Sequence, residues 1–177
     1  MRPRRGFQRQ TKRVSAMSNA NRHDIHVLNS LIQTAIDSAD GYREASTEAG
    51  DPGHRDLFGR RSFQRRQVAE ELQSTVRALG GDPADDGSIL AKAQRAFADV
   101  KHALMRDDAS MVGAVESAEE AVRSRFERAL EDSQISATTR ETIRRAFARV
   151  SAGREDLHDL RHSLEGQRDA SNPLFPH

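Results

Sequence analysis

Apolar side chains recur along this chain three and four residues apart, in four long runs and one shorter one, which is the period of a helix that buries one stripe. The first run predicts a helix from about residue 24 to 49, with Ile25, Leu28, Leu31, Ile32, Ala35, Ala39, Tyr42 and Ala49 on one face. Gly50 is a stop signal. Asp51-Pro52 then offers an N-cap and a proline at the first helical position of the next element. The second predicted helix reaches Leu79 and carries Leu57, Phe58, Val68, Ala69, Leu72 and Val76, before Gly80-Gly81-Asp82-Pro83 breaks it.

A shorter run starts near Ser88, with Ile89, Leu90, Ala93, Phe97, Val100 and Leu104. The third long helix begins around Asp107–Asp108 and carries Met111, Val115, Ala118, Val122, Phe126 and Ala129. The fourth opens on Thr138-x-x-Glu141, the pattern of a capping box. It repeats Ile143, Ala146, Val150, Gly153, Leu157, Leu160 and Leu164 as far as Gly166.

Each long helix measures roughly 40 Å at 1.5 Å per residue. Two links are tight, around Gly50–Pro52 and around residues 132–137, so they join antiparallel neighbours. The link between the second and third long helices contains the short helix, about 27 Å long. That length carries the chain back along the bundle. The fold class expected is all-α: a four-helix bundle with one long helical crossover, the ferritin-like topology. The bundle domain spans residues 23–166, between a basic leader (1–22) and a tail (167–177), both expected to lack fixed structure.

Composition narrows the function classes. Charged residues make up 31% of the 177, aromatic residues 5%, and there is no cysteine or tryptophan. No thiolate metal site, disulfide or cysteine nucleophile is available. No apolar run approaches 18 residues and no hydrophobic leader core is visible, so the expectation is a cytoplasmic protein without a membrane span. The net charge of +1 hides an asymmetry: residues 1–16 hold six basic groups and no acid, leaving 22 basic against 27 acidic in the rest. Contact with nucleic acid would therefore rest on that leader, with Met17 an alternative start, and is not the expected role.

Four segments carry a family resemblance: LNSLIQTAIDSADGYREAS in the first helix, VAEELQSTVRALGGDPADDGS at the end of the second, the crossover helix, and VESAEEAVRSRFERALED in the third. Together they resemble a bacterial family of ferritin-like four-helix-bundle domains of unknown function, over about residues 24–165, with the GGDP-to-GS junction the most specific part. The resemblance implies the fold and a homo-oligomer, and no established activity. Iron-binding ferritin-like proteins place inward carboxylates on all four helices, with Glu-x-x-His on two.

REDLHDLRHS, residues 154–163, has that spacing in Glu155 and His158, with His162 one turn on. At about 100° per residue from Leu157, Glu155 falls near 160°, His158 near 100° and His162 near 140°, all away from the apolar stripe. On the second helix, Arg61 and Arg65 lie about 20° either side of Leu72, and on the third Glu119 flanks Val122 at about 60°. A metal would want carboxylates and imidazoles at those inward places. The residues instead predict a buried polar network of Arg61, Arg65, Glu119 and Tyr42, the alternative being a rotated second helix with both arginines at its rim. Phe63 points opposite to the apolar stripe. With Phe97 it is an interface candidate, either for docking the crossover helix or for a dimer.

No phosphate loop, nucleophile elbow or metalloprotease motif is present. The sequence therefore predicts a non-enzymatic bundle acting through protein contacts or homo-oligomerisation, with no catalytic residue, cofactor or small-molecule substrate to name. Iron binding through Glu119, or through Glu155, His158 and His162, stands as the alternative, and nucleic-acid contact through the leader as another.

Overall fold

The computed structural model describes residues 6–87, 98–100, 102–103, 106, 108–153, 159 and 162, with side chains from residue 19 onward apart from those of 108 and 109. The protein is all-helical, with no strand among the described residues. Among the described residues, four long helices carry the fold: α1 (Gly6–Glu48), α2 (Pro52–Ala78), α3 (Asp108–Glu131) and α4 (Ala137–Ser151).

Local chemistry sets most of the boundaries. Asp51 caps α2 by accepting from the His54 N–H, and Pro52 occupies the first turn, where its missing N–H costs nothing. That hydrogen bond holds the Asp51 carboxyl below its ordinary pKa. α2 ends in a Schellman turn: the Gly81 N–H returns to the Val76 carbonyl and the Gly80 N–H to Arg77. Gly80 has φ +80°, a conformation that glycine adopts without strain. A Cβ on Gly81 would overlap Ile25 of α1, so this second glycine lets the turn close onto its neighbour.

Three boundaries differ from those expected. α1 starts at Gly6 rather than near residue 23, and no proline or glycine interrupts residues 7–40. The cap of α4 is Ser136, whose hydroxyl accepts from the Thr139 N–H, while Glu141 pairs with Arg144 on the surface instead of closing a box on Thr138. α4 also stops at Ser151 in a turn through Gly153, where continuous helix was expected to Gly166; Leu157, Leu160 and Leu164 lie outside the described residues.

Contacts between helices run in opposite residue order at every interface. On α1 and α2, Ser46 donates to the Arg55 carbonyl and Ser62 to that of Ala39, each at 2.8 Å. On α2 and α4, Glu71 meets Arg145 and Arg149, while Arg65 meets Val150. Arg123 of α3 lies over the Phe147 ring of α4, and Arg140 of α4 donates to the Leu130 carbonyl of α3. Tyr42 and His23 of α1 meet Glu119 and Asp132 beside α3. The helices therefore form antiparallel pairs α1–α2, α2–α4, α4–α3 and α3–α1.

This order obliges the chain to return along the molecule between α2 and α3. α2 ends beside Ile25 and Asn29, whereas Met111 at the start of α3 packs in one cluster with Ala45 and Ala49. Those levels on α1 are about 20 residues, or roughly 30 Å, apart. Residues 98–100 and 102–103 of the return are helical, and Val100 and Ala103 bury themselves beside Tyr42, Phe58 and Met111. Among the described residues the return thus docks on that cluster, and Phe63 stays 65% exposed. Phe97 lies outside the described residues.

Two apolar clusters result. One gathers Leu28, Ile32, Leu72, Val76, Phe126 and Ile143; the other gathers Leu57, Phe58, Val100, Met111, Val112 and Val115. Along α2 the first cluster begins at Val68 and the second ends at Phe58; along α3 the boundary falls between Ala118 and Val122.

Candidate functional site: a charged layer between two apolar clusters

Arg61, Arg65 and Glu119 occupy the gap between the clusters. One helical turn separates the two arginines, so both guanidinium groups leave α2 on its inward side. They are 2% and 0% exposed, and Glu119 is 9% exposed. Arg65 Nη2 donates to Glu119 Oε2 at 2.6 Å and to the Val150 carbonyl at 3.3 Å. The other carboxylate oxygen, Oε1, accepts from the Tyr42 hydroxyl. Arg61 Nη2 donates to the carbonyl of Gly153.

Backbone carbonyls add partial negative charge beside the two buried guanidinium groups. The end of α4 supplies part of it. Helix carbonyls without intrahelical partners carry partial negative charge, and cations near a helix C-terminus are favoured. Val150 O lies in the last turn of α4, and Gly153 O two residues beyond its end. The absence of a side chain at Gly153 is required, since a Cβ there would overlap the Arg61 guanidinium. The end of α4 and the turn that follows it thus present backbone acceptors to both arginines.

Tyr42 completes the layer from α1. Its ring stacks on Phe58, with centroids 6.0 Å apart and planes inclined by 24°. Burial raises the Tyr42 pKa well above 10, and the adjacent Glu119 charge raises it further. The phenol therefore stays a neutral donor and Glu119 accepts from two sides. Arg65 Nε and Nη1 are buried without a hydrogen-bond partner among the described residues, each at a cost of about 1–3 kcal/mol.

Among the described residues, no group of three or more His, Cys, Asp or Glu side chains converges. Of REDLHDLRHS, Glu155 and His158 lie outside the described residues, and His162 is helical and exposed. Glu119 is committed to Arg65 and Tyr42. No described helix is long and apolar enough to cross a membrane.

A second polar cluster ties the far end of the molecule. Asp24, 1% exposed, accepts from the Ser136 N–H at 3.0 Å, the Ser136 hydroxyl at 2.6 Å and the Thr139 hydroxyl at 2.8 Å. His23 lies 2.8 Å from Asp132, whose carboxyl is held below the ordinary range chiefly by the Gln134 N–H and then by His23. In the sequence Asp24 reads only as a helix start. Its hold on Ser136 and Thr139 at the start of α4 joins residues more than a hundred positions apart, and no local pattern announces it. The carbonyls of Val150 and Gly153 escape a sequence reading for a related reason: backbone acceptors have no residue-type signature.

No curated protein matches the chain. Over residues 23–132, which begin at the histidine and end at the aspartate of this end clasp, the sequence matches a family model described as Domain of unknown function (DUF2383). The match spans more than half of the chain, so the protein belongs to that family.

Proposed function

We propose that this protein is a ferritin-like four-helix bundle whose interior is closed by an ion-pair network, and that it works through contacts with protein chains rather than through chemistry at a metal. The antiparallel ring of α1, α2, α4 and α3, with a long return between α2 and α3, supports the ferritin-like part. The observation that carries the functional part is the pair of arginines at mid-height. A di-cation placed there would lie beside two guanidinium groups, and the carboxylate of Glu119 is already bonded to Arg65 and Tyr42. On this reading, two inward places at mid-height that would suit carboxylates are held by Arg61 and Arg65.

Iron titration tests this reading. Ferrous ion added under oxygen should give no stoichiometric near-ultraviolet absorbance from a ferric centre. Stoichiometric di-iron binding that Glu119→Ala abolishes would overturn it and establish the iron-binding alternative.

A further inference from the structure

Phe63 is the only large apolar side chain that stands exposed among the described residues. It projects from the outer face of α2 beside a shallow depression that Pro52, Arg55, Asp56, Gly59 and Arg60 also line. The residues along this face are Asp56, Arg60, Phe63, Gln67, Glu70, Ser74 and Arg77, all exposed. Their spacing alternates four and three, which places them along one face of the helix with charged residues to either side of Phe63. Glu70 and Arg77 make no ion pair among the described residues, and Arg60 pairs only with Asp56 on its own helix.

From these observations we infer that this face of α2 is a two-fold interface, and that its partner is the same face of a second copy of the chain, packed antiparallel. The inference rests on the contact-based function proposed above and names the face and partner. Charge decides the register. With the dyad level with residue 65, Arg60 faces the partner subunit's Glu70 and Phe63 faces the partner subunit's Gln67. Asp56 then lies within a turn of the partner subunit's Arg77. With the dyad at Phe63 itself, Asp56 would face the partner subunit's Glu70 and Arg60 the partner subunit's Arg66, setting like charges together. A dyad two residues further on removes both repulsions: Arg60 then faces the partner subunit's Glu70, and Asp56 faces the partner subunit's Ser74. The four ion pairs and two phenylalanines form a small seam, so the dimer dissociates readily on dilution.

Light scattering and sedimentation of the full chain, from low micromolar to millimolar concentration, test the interface. The wild type should dimerise, and Phe63→Ser should weaken association by about tenfold or more. Arg60→Glu and Glu70→Arg should each weaken it, and the two together should restore it, since the reversed pairs are again complementary. The substituted side chains are all solvent-facing, so circular dichroism should report an unchanged fold. A wild type that stays monomeric throughout overturns the inference, as it would if another protein or another part of this chain covers Phe63. A dimer indifferent to all three substitutions, or a double reversal without recovery, also overturns this face and leaves the contact-based reading standing. Iron uptake at Glu119 would instead defeat that reading whatever the oligomeric state.

Discussion

Glu119 holds two obligations at once, accepting from Arg65 and from Tyr42 in a space nearly closed to water. Removing one member of such a buried pair strands the other charge and typically costs about 3–5 kcal/mol, whereas replacing the whole pair by apolar groups is often close to neutral. Glu119→Gln should therefore lower unfolding free energy in urea by about 3 kcal/mol. Arg65→Met combined with Glu119→Leu should recover most of that loss. If the double variant is as unstable as the sum of the singles, the layer contributes stability that the burial argument denies it.

Tyr42 gives the same layer a pH signature. Its folded pKa is raised, first by burial and then by Glu119, above the unfolded value of about 10. The folded state therefore binds the phenolic proton more tightly. The resulting stability is complete below about pH 10 and is lost as pH climbs through that value toward the folded pKa, at up to about 1.4 kcal/mol per unit. Tyr42 is the only tyrosine in the chain, so tyrosinate absorbance reports it alone. Its titration should be displaced upward or coincide with unfolding, and Tyr42→Phe should flatten this part of the stability profile.

At the scale of the helices, two glycines make opposite demands. Gly113 sits inside α3, exposed, and a methyl group added there would meet nothing within 4 Å. An alanine at this position reduces the freedom of the unfolded chain at no steric cost, and Gly113→Ala should raise stability by about 0.5–1 kcal/mol. Gly153 is buried against Arg61, and Gly153→Ala should displace the guanidinium from its carbonyl and lower the melting temperature. Thermal melts of the two variants should shift in opposite directions; a Gly153→Ala protein as stable as wild type would show that the Arg61 side chain can repack around a methyl group without loss.

The course of the whole chain depends on how the segment after α2 is held. Asn29 donates to the Asp82 carbonyl at 3.0 Å and accepts from the Ala84 N–H at 2.9 Å, while Gln73 donates to the Ala84 carbonyl at 2.7 Å. Three backbone groups of one strap thus depend on two side chains. Asn29→Ala leaves a carbonyl and an N–H unpaired, and should cost about 1–2 kcal/mol in denaturant unfolding. Faster amide hydrogen exchange at residue 84 would locate the loss in the strap; unchanged exchange there would mean that water replaces Asn29.

Much of this organisation is already written in the chain. The 3–4 spacing of apolar residues determined that the protein is helical and which stripe of each helix turns inward, because burial of one face dominates helix orientation. Asp51-Pro52 and Gly80-Gly81 determined the ends of α2, since capping and left-handed backbone are local events. The same angular arithmetic put Arg61 and Arg65 on the side of Leu72, and both side chains lie in the interior. What only the tertiary structure decided are the acceptors those arginines meet, the break of α4 at Gly153, the capture of Ser136 and Thr139 by Asp24, and the docking of Val100 and Ala103 away from Phe63. Each of these joins groups far apart in sequence, often through backbone atoms identical in every residue, so their pairing exists only once the helices have packed.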